Sequence, residues 1–573
     1  MNKKLLSLFL AVVMVLSTLF VLASCGDKEC KEHVDANSDG KCDNCGADMP
    51  NNGGGGNEGG GGSGGGDGGG DIVRNWWEDV DFEDGRLSVQ INTSSNNGEL
   101  TSRSLRYLAG QGIPSTPTQV DRLVAVRNQE MATNLGLSVT YSTQEYNWGN
   151  AEGAISTLIK SGDSSVADIF VDYIYDMTCA SLKDNFANII STAESRTPNY
   201  FFAEQGNDSS YLTYFTEEGY MEEFMKSMSL SIKKMYLVGS DYLTDLVRAM
   251  FVVPVNVNLI ESVTTNNAGL TELFEVIENG DWTYTKMAEY AAAAYQDTDG
   301  IPGETIGDTL GFAIGTSSGL SASGILYTSS VVIIERTVND DGSYTVWYED
   351  ENQDLYNFFN VLDVFMDTNG VAAFKNTDVS TAGSNALDAI RNQFAVNKVL
   401  FGGCVMLGSL EDDIYQKMED SFGVAPVPIY RDGDEHLTTI HNIGRVAGIR
   451  VNTQRFPQAT AFLHYQSTHS SDILDEYYYY DLLYAAGKDS QSQDMIVYIR
   501  DHIRSSFDKI YEDAIANYFS SQDTAAASKK WHEILNQYNY QAGDQIQTLY
   551  RDYVNAKKER LTQLKKQFDT FTE

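Results

Sequence analysis

The sequence predicts an α/β fold that contains a parallel sheet. From about residue 86, short runs rich in β-branched and aromatic residues alternate with segments whose apolar residues recur at helical spacing. The order is the strand RLSVQIN, a helix over 120–135, the strand LSVTYST, the helix AEGAISTLIKSG and the strand ADIFVDY. This alternation is typical of parallel strands joined by right-handed crossovers, and such sheets bind ligands beyond the carboxyl ends of their strands.

The composition limits the size of the domains and the choice of partners. The chain has 573 residues, of which 42% are hydrophobic and 11% aromatic, so it can bury a large core. Its length predicts about two to four domains. With 80 acidic and 40 basic residues the formal net charge is −40. Because affinity for a phosphate backbone requires clustered Lys and Arg, this charge excludes a nucleic-acid partner and favours a neutral or cationic ligand.

The first 24 residues predict a secretory signal peptide. Lys3 and Lys4 precede a long uncharged apolar run, which is the order of a charged region followed by a hydrophobic region. The run ends in Leu-Ala-Ser-Cys25, which resembles the lipobox of bacterial lipoproteins. The resemblance implies cleavage before Cys25 and attachment of a lipid to its thiol, so the mature chain is anchored to the outer face of the cell membrane. The alternative is an uncleaved membrane anchor.

A small module over 25–50 and a linker over 51–70 follow. Four potential zinc ligands have the spacing C-x2-H-x8-C-x2-C, namely Cys30, His33, Cys42 and Cys45. An alternative set would bind calcium, as in an incomplete EF-hand loop that has Gly46 where the twelfth-position Glu belongs: Asp35, Asn37, Asp39 and Asp43. A disulfide-linked module is the third alternative. The linker is mostly glycine, which predicts a flexible tether.

Several segments resemble, in the same order, the sugar-binding extracellular solute-binding proteins of bacterial ABC importers, in particular Gram-positive lipoproteins. The resemblance covers about residues 86–520. It is carried by RNQEMATNLGLSVTY, SGDSSVADIF, KKMYLVGSDYLTDLVRAMFVVPVNVNLI, ENGDWTYTKMAEYAAAAYQDTDG, FGVAPVPIY, and VAGIRVNT with FPQATAFLHYQSTHS. The resemblance implies a non-enzymatic, monomeric subunit that binds a carbohydrate and delivers it to a membrane permease.

The same resemblance implies a hinged, two-lobed periplasmic-binding-protein-like fold of type II. We place the first lobe at 72–255, the second at 256–440, and a hinge return with C-terminal helices that pack on both lobes at 441–573. The calcium-like loop of the family is reduced here to Asp297, Asp299 and Gly300. We therefore expect no cofactor in the main domain, and zinc or calcium only in the N-terminal module.

Sugars are recognised by aromatic rings that stack on their apolar faces and by polar side chains that bind hydroxyl groups. Residues of these types lie at the predicted strand ends and near the passage between lobes. The candidate ligand-binding residues are Thr93, Ser94, Glu145, Trp148, Asp172, Tyr173, Tyr175, Tyr242, Arg248, Trp282, Thr316, Ser317, Gly408 and Ser409.

Two other classes of function remain open. Gly315, Ser317 and Gly319 match the G-x-S-x-G pattern of serine hydrolases, but the residues after Ser317 are a poor start for the helix that such an elbow requires. A surface lipoprotein that adheres to or hydrolyses a polysaccharide is therefore the alternative to a transport subunit. The same fold with a peptide or polyamine ligand is the third hypothesis.

Overall fold

A computed structural model describes the chain from Asn75 to Tyr511 with internal gaps. Residues outside the description within this range are 96–99, 164, 192–195, 197, 203–214, 216–218, 231–233, 316–323, 326–327, 333–334, 339–343, 348–352, 380–384, 417, 483–489 and 505–509. The predictions for the signal peptide, Cys25, the Cys/His module, the glycine linker, Thr316 and Ser317 lie outside the described residues. Contacts divide the chain between Val73 and Arg74, and every described residue belongs to the second unit.

Strands and helices alternate through most of the described chain, as the sequence predicts. The strands are β1 (Arg86–Asn92), β2 (Ser138–Gln144), β3 (Ile169–Tyr173), β4 (Leu237–Val238), β5 (Phe251–Asn256), β6 (Leu310–Gly315), β7 (Glu335–Val338), β8 (Tyr344–Trp347), β9 (Val371–Phe374), β10 (Val399–Phe401), β11 (Val405–Met406), β12 (Phe422–Ala425) and β13 (Arg445–Ile449). The α-helices are α1 (Ser104–Tyr107), α2 (Gln119–Leu135), α3 (Ala151–Ser161), α4 (Ile174–Ser181), α5 (Glu222–Met228), α6 (Thr244–Val247), α7 (Val257–Val263), α8 (Leu270–Glu278), α9 (Tyr284–Ala294), α10 (Gln353–Met366), α11 (Ala386–Ala395), α12 (Asp413–Gln416), α13 (Phe456–Thr468), α14 (Ser471–Glu476) and α15 (Ser490–Asp501).

The first lobe is built on a five-stranded sheet of order β2-β1-β3-β13-β4. Strand β1 is parallel to both β2 and β3, which confirms the parallel arrangement that the sequence predicts. Strand β13 comes from much later in the chain and inserts antiparallel between β3 and β4. This sheet therefore combines strands that precede the second lobe in the chain with one that follows it.

Helix α2 illustrates how local sequence sets the crossovers of the first lobe. Thr118 and Asp121 form a capping box at its N-terminus, and Gly136 ends it with φ of 62°, a conformation that glycine adopts without strain. Arg106 adds an ion pair to Asp121, with 2.6 Å between Nε and Oδ1. The buried residues Val120, Val124, Met131 and Leu135 lie on one face of the helix and contact the core.

The second lobe is built on a mixed sheet of order β11-β5-β10-β6-β9, with β12 also paired to β5. Strands β10, β6 and β9 are parallel, whereas β5 is antiparallel to β10, β11 and β12. The chain passes from the first sheet to the second between β4 and β5. Strand β5 therefore belongs to the second lobe, although the predicted boundary at 255 assigned most of it to the first.

Two segments that run in opposite directions connect the lobes. The outward segment, 239–250, contains α6, and the return segment, 439–444, precedes β13. Their backbones pair, because the His441 amide donates to the Ala249 carbonyl at 2.9 Å and the Phe251 amide donates to the Thr439 carbonyl at 3.2 Å. After β13, helices α13 and α14 pack on α2 of the first lobe and α15 packs on β12 and α8 of the second. Among the described residues, no helix is both long enough and apolar enough to cross a membrane.

A buried ionic cluster joins both lobes at the hinge. The Arg248 guanidinium binds Asp245 Oδ1 at 2.6 Å, the Thr101 carbonyl at 2.7 Å, and both carboxylate oxygens of Glu411 at 2.8 and 2.9 Å. Asp245 also accepts hydrogen bonds from the backbone amides of Arg103 and Ser104 at the start of α1. Burial opposes the charge of Asp245, but the nearby Arg445 and Arg248 outweigh it and hold the pKa of Asp245 well below its usual range.

Replacing Asp245 should destabilise the whole folded chain. Asp245→Asn leaves two buried guanidinium groups without their shared carboxylate, which costs about 3–5 kcal/mol in comparable pairs. Urea unfolding at neutral pH measures the loss of free energy. As a control, Glu289→Gln removes an exposed ion pair with Lys286 and should cost less than about 1 kcal/mol. Equal effects from the two variants would contradict this account of the hinge.

Candidate ligand-binding site

A buried polar network fixes the carboxyl ends of the three parallel strands in the first lobe. Asn92, the last residue of β1, donates from Nδ2 to Asp172 Oδ1 at 2.7 Å and to the Tyr146 carbonyl at 2.8 Å. Its own Oδ1 accepts from the backbone amide of Ser94 at 3.0 Å. The guanidinium of Arg445, in β13, donates to the Asn92 and Ser94 carbonyls. Because β1, β2 and β3 are tied together at this point, the loops that follow them are held next to one another.

An aromatic pair lies directly beside this network. The rings of Trp148 and Tyr175 are stacked with their centroids 4.0 Å apart and their planes at 21°. Tyr175 is buried, whereas Trp148 is half-buried and its Nε1 donates to Asn442 Oδ1 of the return segment at 3.2 Å. Gly149 turns the chain after Trp148 with φ of 82°. This arrangement places a partly exposed indole ring next to an amide group, at the junction of the first lobe and the hinge.

Two buried carboxyl groups lie beneath the aromatic pair. Asp176 accepts backbone hydrogen bonds from Gly149 and Glu152 at the start of α3, and Asp172 accepts from Asn92. Burial raises the pKa of Asp172 to about 7, and repulsion from Asp176 adds to the shift. Burial likewise raises the pKa of Asp176 to about 6. Both groups therefore change protonation in the physiological pH range.

The structure predicts that stability falls as these acids ionise. The pKa of Asp172 is higher in the folded chain than its unfolded value of about 3.9. Protonated Asp172 therefore contributes fully to the free energy of unfolding below pH 4, and this contribution is lost as the pH rises through 7. Asp172→Asn keeps an oxygen that accepts from Asn92 and cannot ionise, so the decline in unfolding free energy between pH 4 and 8 should be smaller by up to roughly 4 kcal/mol. Urea unfolding midpoints between pH 4 and 8 measure it. The exposed Asp432→Asn should keep the wild-type profile, and a wild-type profile in Asp172→Asn would contradict the prediction.

Gly408 and Ser409 are the predicted site residues that lie in the second lobe. Both are buried in a short 3-10 helix, Leu407–Glu411, that touches the first lobe at Leu100. A Cβ atom added to Gly408 would lie 2.5 Å from Leu100 Cδ1 and 3.0 Å from Arg248 Cβ, so a larger residue there would require the Leu100 side chain to move. The lobes are therefore in close contact at this point of the hinge.

The remaining predicted residues divide into surface and support positions. Glu145 is exposed and Thr93 half-buried at the ends of β2 and β1, near the aromatic pair. Tyr173 is buried, donates to the Ser94 carbonyl at 3.1 Å and lies under the Arg445 guanidinium. Ser94 is also buried, with its hydroxyl donating to Asn147 Oδ1 at 2.9 Å. These two hold the strand ends in place.

Trp282 and Tyr242 do not present a surface to a ligand in this structure. Trp282 is fully buried in the second lobe, and its Nε1 donates to the Pro426 carbonyl at 2.8 Å. Tyr242 is buried in the outward hinge segment. The sequence suggested Trp282 from its place at the start of a helix and Tyr242 from its place near the passage between lobes, but both rings are buried in the core. Arg248 is likewise buried, in the ionic cluster described above.

Asn92, Asn147 and Asn442 belong to the site but were not predicted from the sequence. Asn92 and Asn147 directly follow or flank predicted strand-end positions, so the loop pattern was a usable signal for both. Asn442 lies 294 residues after Trp148 along the chain. Only the pairing of the hinge segments brings it to the aromatic pair.

Three carboxylates meet in the loop before β6. Asp297, Asp299 and Asp308 each offer an oxygen within 4.8 Å of the others, and sequence reasoning overlooked Asp308. The loop satisfies these oxygens with its own amides, because Gly300 donates to Asp297 at 2.7 Å, Ile301 to Asp299 at 2.8 Å and Thr305 to Asp308 at 2.8 Å. The loop is thus organised by its own hydrogen bonds, and we derive no metal-dependent step from it.

Solved structures with a similar arrangement of elements include sugar-binding proteins, among them one that belongs to an ABC transporter. No protein-family model and no curated protein matches the sequence. The galacto-N-biose/lacto-N-biose I-binding protein of Bifidobacterium longum is 11% identical with a TM-score of 0.48, over 84% of this chain and 98% of that one. A family 1 extracellular solute-binding protein from Alicyclobacillus acidocaldarius is 10% identical with a TM-score of 0.45, over 83% and 98%. The maltose/maltodextrin-binding domain MalE of Bdellovibrio bacteriovorus, bound to maltotriose, is 12% identical with a TM-score of 0.40, over 82% and 100%.

The chain has the two-lobed fold of periplasmic binding proteins. Its own topology carries this assignment, through two sheets, paired hinge segments and a late strand that returns to the first sheet. At about one residue in ten identical, the solved structures assign no role to any side chain here. The roles discussed below therefore rest on the contacts of this chain alone.

Proposed function

We propose that the chain is a lipid-anchored extracellular binding protein that takes up an oligosaccharide between its lobes and delivers it to a membrane permease. The observation that carries the proposal is the stacked pair of Trp148 and Tyr175 beside Asn442. A half-buried indole face packs against the apolar face of a pyranose ring, while neighbouring amides and carboxylates bind hydroxyl groups.

The position of this pair also supports the proposal. It lies at the carboxyl ends of the first sheet, where α/β proteins bind ligands. Asn442, which holds Trp148, belongs to the return segment of the hinge. A ligand on Trp148 would therefore contact a part of the chain that moves when the lobes open or close, and binding would favour one hinge position over the other.

Anchoring follows from the sequence around Cys25. The lipobox-like sequence and the glycine linker after it would place the two lobes outside the membrane while leaving them free to reach a permease. A tethered receptor of this kind remains close to its transporter without a membrane-spanning helix of its own.

Binding is tested by thermal unfolding of the full-length chain in a detergent without a sugar head group. A ligand that binds only the native state raises the melting temperature, so an oligosaccharide should give a saturable rise and be recovered intact. Trp148→Ala should lower the affinity for that oligosaccharide by about tenfold or more. Aromatic stacking contributes about 1 kcal/mol to binding in addition to the burial of apolar area. Tyr356→Ala, a half-buried aromatic on α10, is the matched control and should bind as the wild type does.

Other outcomes of this screen separate the competing functions. Recovery of shortened saccharides would identify a hydrolase, and binding only to an insoluble polysaccharide would identify an adhesin. A rise in melting temperature with peptides or polyamines, but with no saccharide, would leave the fold assignment unchanged and identify a different class of ligand.

Anchoring is tested by Cys25→Ser in a bacterial host that is labelled with radioactive palmitate. The wild-type chain should carry label and sediment with membranes, because the acylated cysteine inserts into the bilayer. The variant should lose the label. Label that persists in Cys25→Ser would place the lipid elsewhere and contradict the proposed anchor.

A further inference from the structure

A small polar cavity of about 80 Å³ lies at the contact between the two lobes. Thr101 and Arg103 line it from the first lobe, Arg248 from the hinge, and Arg391, Ser409 and Glu411 from the second. Pockets that enclose a whole small molecule measure about 300–1,000 Å³. This cavity can therefore accept only a substituent of a larger ligand or a small ion.

The charges around the cavity leave a positive excess. Four guanidinium groups and three carboxylates form the cavity wall and the ionic cluster behind it: Arg103, Arg248, Arg391, Arg445, Asp245, Glu411 and Asp412. The carboxylate of Glu411 is fully engaged, because it binds Arg248 through both oxygens and also accepts from Arg103 Nη2 and the Tyr477 hydroxyl. Arg248, Arg391 and Arg445 are buried, whereas Arg103 and Asp412 are partly exposed, and a buried positive charge is costly unless an anion compensates it.

Three buried donors in the cavity wall, Ser409 Oγ, Arg103 Nε and Arg391 Nε, have no hydrogen-bond partner. Ser409 is 5% exposed, and its Oγ makes no hydrogen bond. Nε of Arg103 is likewise buried and without a partner. Arg391 is buried too, and its nearest carboxylate oxygen, on Asp412, lies 3.6 Å away. Buried polar groups normally find partners, so unpartnered donors on opposite walls of one cavity indicate an acceptor that both lobes would share.

We propose that this cavity receives the carboxylate of a uronic acid, so that the bound saccharide is an acidic one. The inference rests on the proposed function and makes its ligand class specific. A carboxylate has the single negative charge that the cavity lacks, accepts hydrogen bonds from hydroxyl and guanidinium donors, and fits the available volume. Since Arg103 and Ser409 come from different lobes, the carboxylate would bind fully only when the lobes are in contact.

The test compares saccharides that differ only at C6. Isothermal titration calorimetry of the full-length chain would use manno-, gluco- and galacto-configured trisaccharides, each as the neutral sugar and as its uronate, together with sodium acetate alone. At least one uronate should bind about tenfold more tightly than its neutral counterpart, as expected for hydrogen bonds to a charged group. In Ser409→Ala and in Arg391→Gln the ratio of uronate affinity to neutral-sugar affinity should fall at least about fivefold. Ser467→Ala, a buried serine of α13 that does not line the cavity, should keep the preference.

The outcomes separate this inference from the function on which it rests. A neutral trisaccharide that binds as tightly as its uronate overturns the acidic ligand and leaves saccharide binding intact. Failure of every saccharide overturns both. If acetate alone binds, and Ser409→Ala abolishes acetate binding without changing uronate affinity, the cavity is a site for a free anion and the inference is wrong.

Discussion

The arrangement of the two lobes depends on the contacts of the buried Arg248 guanidinium. The guanidinium binds a carbonyl of the first lobe, an aspartate of its own hinge segment and both oxygens of a glutamate in the second lobe. A buried charge that loses its partner is strongly destabilising, so these contacts restrict the hinge to geometries in which Arg248 stays paired. The same contacts hold the 3-10 helix that carries Ser409 and Glu411 against the hinge.

The candidate site combines a rigid support with a more exposed surface. Asn92 and Asp172 tie the ends of β1 and β3 together, and Arg445 from the late strand β13 holds the carbonyl groups at the end of β1. Trp148 lies on this support and is also bonded to the return segment through Asn442. A ligand that contacts Trp148 therefore acts on the same hinge that Arg248 stabilises, which is how binding and lobe closure would be coupled.

Local charge and overall charge lead to different expectations for the ligand. The formal net charge of −40 favours a neutral or cationic partner when it is averaged over the surface. Inside the contact between the lobes arginines outnumber carboxylates, and three of them, Arg248, Arg391 and Arg445, are buried where water screens their charge little. Recognition takes place at this short range, so the local set of charges, rather than the total, is what an acidic saccharide would encounter.

The sequence by itself determined the local elements and the fold class. Helical spacing predicted α2, alternation of strands and helices predicted a parallel sheet, and the order of family-like segments predicted two lobes, because each of these signals is contained in short stretches of chain. Only the tertiary structure decided which residues meet at the candidate site. Arg248 and Glu411 are 163 residues apart, Trp148 and Asn442 are 294 apart, and β5 joined the second sheet rather than the first. Pairing and burial at such separations depend on how the whole chain packs, and aromatic residues such as Trp282 that resembled ligand contacts were used in the core instead.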